Sequence, residues 1–264
     1  MDDPLLILRR FAARGLREQT PDEQNFARQV SARAANEATG GERVAYDEQL
    51  IEPSRIAEFV ARSAEIFARG EEASVLRRAV LFTFPTEGES LEISFISLYA
   101  ALEATLTFFR HQGRYKILAP DEFAALERDL KKWLKGHPLL ADRNEERALV
   151  YEKIRELNRL PFSTVFKKFC AHHALDLDDL WPVLGKPEEW PLTEIRHRLV
   201  HGDAFAEKPD DALICARTHL RWTVERMLLS VLGWPVSASR VSADYLSAHA
   251  AAHRDWHAAR ASFA

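Results

Sequence analysis

Arg196, His197, Arg198 and His201 fall within six residues of one another, immediately before Gly202. Histidine is the side chain that trades a proton near neutral pH. Arginine holds a pair of phosphate oxygens better than any other side chain. At a helix end this set points to chemistry on a phosphate, to a short metal site, or to a charged helix terminus. Thr193 is placed to cap such a helix, and Gly202 to end it in the left-handed conformation. His197 and His201 are four apart and share a face. Arg196 and His201 lie about 140° apart on an ideal helix. Ile195 and Leu199 should anchor the helix in the core, and Arg198 should point away into solvent.

Each reading makes its own demands. RNA carries its own nucleophile, the 2'-hydroxyl. Cleavage needs a base for that proton, an acid for the leaving 5'-oxygen and a cation against the charge on the phosphorus. One histidine does one proton job at a time. Two copies of the helix facing across a two-fold axis would supply two histidines and two arginines. That scheme calls for no metal. A zinc site would use His197 and His201 with Asp203, His172 or His173, but the HExxH glutamate is missing. The third reading is simplest: cations at a helix C-terminus are favourable by themselves.

The elements that must position these residues read as helices. Glu52-Pro53-Ser54 starts one, with Ile56, Phe59, Val60, Ala64 and Phe67 at helical spacing and Gly70 closing it. A second is predicted over Ala73 to Phe82. Leu91 to Arg110 lacks proline and glycine, and Phe95, Leu98, Leu102, Leu106 and Phe109 follow the helical period. Glu103 is the ionised group in its interior, either on a wet face or meeting a base from another helix. Further helices are predicted from Pro120 to Gly136, Asn144 to Leu160, Phe162 to His172 and Asp211 to Leu232, with a short acidic one around Asp178 and Asp179. Asp22 to Ala38 reads as a modest helix, and the tail from Ser237 as a weak one or as a segment ordered by a partner. No alternating strand series or internal repeat is visible, so an antiparallel helical bundle is expected.

Composition narrows the classes. The chain has 264 residues, is 47% hydrophobic and carries a net charge of −4, which gives no support for a protein that coats nucleic acid but permits a local basic site. Lys131, Lys132, Lys135, Arg143, Arg147, Lys153, Arg155, Arg159, Lys167 and Lys168 make the middle of the chain locally basic, with carboxylates interspersed. A solvated helix face explains that pattern, and so does a track for RNA phosphates. Cys170 and Cys215 make neither a disulfide framework nor a CxxC pair, so a reducing cytoplasm is expected and both read as buried apolar groups. His172 and His173 beside Asp176, Asp178 and Asp179 read as solvated surface. Trp181, Trp190, Trp222 and Trp234 read as packing residues. No segment reaches the 18 or so nearly uncharged apolar residues of a membrane span, and the N-terminus lacks the positive region of a secretory signal.

With Arg196-His197-Arg198-Leu199-Val200-His201-Gly202 and the earlier stretch Phe95-Ile96-Ser97-Leu98-Tyr99-Ala100-Ala101-Leu102-Glu103, the chain resembles the HEPN superfamily of helical bundles with an Arg-x4-6-His motif. The resemblance covers roughly residues 55–235, with 115–185 as a helical insertion, 1–54 as an N-terminal arm or small extension and 236–264 as a C-terminal tail. Asparagine, aspartate or histidine often follows the arginine in that family, and here it is His197. The resemblance implies an all-α, HEPN-like antiparallel bundle and a metal-independent endoribonuclease, without a cofactor, active as a homodimer with the motif at the interface. It implies Arg196 as phosphate binder, His201 as general acid or base, His197 as a positioning group, and Glu103 orienting Arg196 or a histidine. Toxin–antitoxin or antiphage systems are its usual setting, with RNA as substrate and an antitoxin or regulatory protein as further partner. Some members keep the fold and bind a nucleotide, RNA or a protein without cleaving, which is the alternative reading. A purely structural helical adaptor is the third.

Overall fold

Proline and glycine punctuate this chain, and the helices run between those marks. The computed structural model describes residues 4–14, 49–68, 72–84, 88–111, 116–202 and 210–263. Eleven α-helices lie among the described residues: α1 Pro4–Ala12, α2 Ile56–Ala68, α3 Glu72–Leu81, α4 Leu91–His111, α5 Pro120–Gly136, α6 Asn144–Ile154, α7 Phe162–His173, α8 Leu192–His201, α9 Asp210–Val231, α10 Ala243–His249 and α11 Ala251–Ala261. They include no strand, only an isolated antiparallel bridge between Lys116 and Arg159. The chain is all-α. The helix expected over Asp22–Ala38 lies outside the described residues, as does Asp203.

The chain divides into two compact units, Met1–Phe108 with His173–Ala264, and Phe109–His172. In the larger unit the core forms where helical periodicity meets aromatic bulk. Ile7, Leu8, Phe11 and Ala12 bury one face of α1, which packs on α2 and α3. Phe11 lies 6.3 Å from Phe59 between ring centres, and Phe59 meets Trp234 edge-on at 5.6 Å. The segment after α1 is tied in as well. Ile51 donates its N–H to the Ala12 carbonyl, Arg240 donates to that of Leu50, and Arg14 pairs with the buried Glu225 of α9 at 3.0 Å.

The tail is not a loose appendage. Ser242 caps α10 by accepting from the Tyr245 N–H. Trp256 and Phe263 close over Trp181, with ring centres at 6.1 and 5.9 Å. The acidic helix expected at Asp178–Asp179 is a turn instead. Asp179 is drawn inward by the guanidinium of Arg226, which donates to both carboxylate oxygens at 2.5 and 2.6 Å, while His253 of α11 holds the same carboxylate at 2.8 Å. The solvated reading of this acidic stretch therefore fails at Asp179. All four of the tryptophans at 181, 190, 222 and 234 are buried, as packing residues should be.

By length and composition alone, Leu91–Arg110 could cross a membrane, contrary to the sequence expectation; half of its apolar window is buried inside the protein, as in a core helix. Phe95, Leu98, Leu102 and Leu106 are buried as the period predicts, but so are Tyr99, Ala101 and Thr105. Thr105 turns its hydroxyl back to the Ala101 carbonyl at 2.8 Å, which satisfies it inside the core.

The smaller unit buries Phe109, Phe123, Ile154, Val165, Phe166 and Phe169. The helix expected to run from Asn144 to Leu160 stops at Ile154 and tightens into a 3-10 turn over Arg155–Asn158. The buried Asn158 side chain accepts from the Leu118 N–H at 2.8 Å and donates to the Leu118 carbonyl at 3.2 Å. Its own carbonyl accepts from Ile117. Cys170 is half-buried rather than buried, and burial pushes its thiol up to about 11.

Candidate functional site

Helix α8 is delivered by the proline-punctuated stretch 182–191 and fixed at both ends. Its N-cap is Pro191, not the expected Thr193, which lies inside the first turn. The first N–H groups of that turn, which have no partner within the helix, find carbonyls in the preceding loop instead: Leu192 donates to Pro182 at 2.9 Å and Thr193 to Val183 at 3.2 Å. At the other end Gly202 takes the left-handed conformation, φ 71°, and its N–H donates to the Arg198 carbonyl. Leu192 and Ile195 are fully buried and anchor the helix, while Leu199 is half-buried.

Three faces of α8 then carry three different arrangements. His197 and His201 are both exposed, with ring centres 4.4 Å apart and planes tilted by 52°. Arg196 is half-buried and turns towards α4, its guanidinium carbon 5.7 Å from the centre of the Tyr99 ring. Arg198 is not the solvated side chain expected. It lies over the buried Trp190 at 4.3 Å and pairs with Glu194 at 2.9 Å. A guanidinium is planar and weakly hydrated, so an indole face on one side and a carboxylate on the other suit it.

Tyr99 is the residue the sequence reading did not single out. It is 4% exposed. Burial drives its phenol pKa well up, the Glu103 charge one turn later adds to this, and Arg196 works against both. The phenol therefore stays protonated and neutral across the physiological range. Glu103 is exposed and forms no ion pair with Arg196 among the described residues; its charge acts on Tyr99. The signal was present in the sequence, since Tyr99 sits four residues before Glu103 on the same helical face. Trp190 gave no such signal, because a turn with φ 50° brings it under Arg198.

Arg196 thus meets Tyr99 on the side of α8 turned towards α4, while the two histidines and Glu103 are exposed. Within one chain Arg196 and His201 face differently. No group of three or more histidine, cysteine or carboxylate side chains comes together to hold a metal among the described residues. What the exposed end of α8 offers an anion is side chains, the two histidines and the arginine held by an aromatic face; the C-terminal carbonyls of the helix favour cations instead. Comparison with family models, with curated proteins and with solved structures found no match to this chain.

Proposed function

We propose that the protein is a HEPN-like, metal-independent endoribonuclease that works as a homodimer, with Arg196 and His201 of each copy in one cleft. The observation that carries this reading is the exposed His197/His201 pair at 4.4 Å on the same helix whose Arg196 is held over Tyr99. In the reaction the 2'-oxygen attacks the adjacent phosphorus and the bond to the 5'-oxygen breaks. The 2'-hydroxyl proton goes to one His201, and the leaving 5'-oxygen takes a proton from the His201 of the second copy. Arg196 faces the charge that grows on the phosphate oxygens. His197 positions the phosphate or its neighbouring ring, and Glu103 sets the field at Tyr99 and Arg196. The products are a 2',3'-cyclic phosphate and a 5'-hydroxyl, and no step in this scheme calls for a metal. A toxin or antiphage role, with an antitoxin or regulatory protein as partner, follows from the same reading.

The test is single-stranded RNA incubated with the protein in EDTA. Wild type should cleave and leave cyclic phosphate ends. His201→Ala should lose about 100-fold or more, the usual weight of a general acid or base. Cleavage that survives His201→Ala would sink the assigned chemistry. RNA bound but never cut, by a dimer, would favour the non-catalytic binding module.

A further inference from the structure

The smaller unit has a charge of its own. Phe109–His172 holds 14 lysines and arginines against 9 aspartates and glutamates, a net +5, whereas the remainder of the chain holds 22 against 31, a net −9. The overall −4 hides that division. α5 itself balances four lysines and arginines against four aspartates and glutamates, but all four of its bases share one face. At 100° per residue, Glu127, Lys131, Lys135, Arg128 and Lys132 fall on one arc of about 140°. From Ala124 to the end of the helix, Glu127 is the arc's one carboxylate. Two cations already claim it, Lys131 at 2.6 Å and Arg155 at 3.9 Å. Arg128, Lys132 and Lys135 are exposed, and Arg155 is 78% exposed.

We infer that this arc of α5 is an RNA-docking surface that binds the sugar–phosphate backbone of a single strand without reading its sequence. From Glu127 to Lys135 it runs about 12 Å, the length of three to four stacked nucleotides at about 3.4 Å each. Lysine and arginine displace the counterions of a polyphosphate, which an acidic protein surface offers only in scattered form. The choice of RNA over other polyanions rests on the proposed ribonuclease reading, but the docking test is independent of cleavage.

The experiment uses the full chain carrying His201→Ala, so that bound RNA survives, and a labelled unstructured 20-nucleotide strand titrated at several salt concentrations. Replacing Arg128, Lys132 and Lys135 together by glutamine should weaken binding at least tenfold at low salt. It should also make the slope of log K against log salt shallower by about 2, the loss of three phosphate contacts at about 0.7 each. Because all three side chains are exposed, the melting temperature should hold. Glu127→Gln should change binding in the opposite direction, tightening it several-fold, which no folding defect can imitate. An unchanged slope in the triple variant overturns the inference, as does absence of RNA binding by the parent protein. Self-association at low salt that the triple variant abolishes, without RNA binding, also overturns it, and would assign the basic arc to an acidic surface of a second copy. Docking as expected with no cleavage by the wild type would leave this inference standing and remove the ribonuclease.

Discussion

The side chain that most changes the view of the candidate site is Tyr99. Its ring gives the Arg196 guanidinium a face to rest against at 5.7 Å, within the range where the ring quadrupole attracts a cation. Ring and hydroxyl can be separated by substitution. Tyr99→Phe keeps the face, and RNA turnover should stay within about twofold; Tyr99→Leu removes it, and turnover should fall about tenfold, the size of a 1 to 2 kcal/mol contact. Equal losses in the two variants would instead assign the effect to the phenol. At Gly202 the backbone rather than a side chain is at stake. Nothing lies within 4 Å of a Cβ built there, but φ is +71°. Gly202→Ala should therefore cost about 1 kcal/mol from left-handed strain alone, a drop of about 2–4 °C in a thermal melt of a chain this size. The cluster Arg196–His201 was legible in the sequence because its geometry is that of one helix. Arg198 was not, because its partner Trp190 arrives from outside that helix.

Among the elements, those bounded by proline and glycine were legible and those bounded by tertiary contacts were not. Pro120 and Gly136 mark both ends of α5, and the apolar period of Leu91–Arg110 predicts α4 to within a residue. No local signal ends α6 at Ile154. What ends it is Asn158, whose amide meets both backbone groups of Leu118 forty residues earlier. Asn158→Ala should strand those two groups in a partly buried setting and cost about 2 kcal/mol. The loss should show first as faster amide hydrogen exchange at residues 117–118. Leu157→Ala, at a side chain 58% exposed, should leave that exchange unchanged. If both variants exchange alike, the 3-10 turn is set by local propensity and not by Asn158. The tail gives the same lesson in reverse. Alanines and histidines from Ser237 onward offer weak helical periodicity, and α10 and α11 form because Leu246, Trp256 and Phe263 have a core to enter.

For the molecule as a whole, the weight of the larger unit rests on a charged knot that sequence patterning could not reveal. Arg226 is 2% exposed and comes from α9, Asp179 from the turn after α7, and His253 from α11. The guanidinium also donates to the Val241 carbonyl at 2.6 Å, so one side chain ties three distant stretches of chain to one point. Burial by itself raises the Asp179 pKa, but the hydrogen bonds from Arg226 and His253 outweigh it and hold the carboxyl below its ordinary value. A carboxyl depressed in the folded state adds stability above its unfolded pKa, near 3.9. It gives that stability up as pH falls through the lower folded value. Asp179→Ala leaves Arg226 charged and uncompensated in the core, and should cost about 3–5 kcal/mol at neutral pH. Asp179→Asn keeps the shape and loses the charge, so it should cost less. The gap between its melting temperature and that of wild type should then narrow steadily as the buffer is taken from pH 5 towards pH 2. Thermal melts across that range measure it directly. A gap that stays constant with pH would mean that the carboxylate holds these stretches by shape and hydrogen bonding alone, with its charge contributing nothing to the fold.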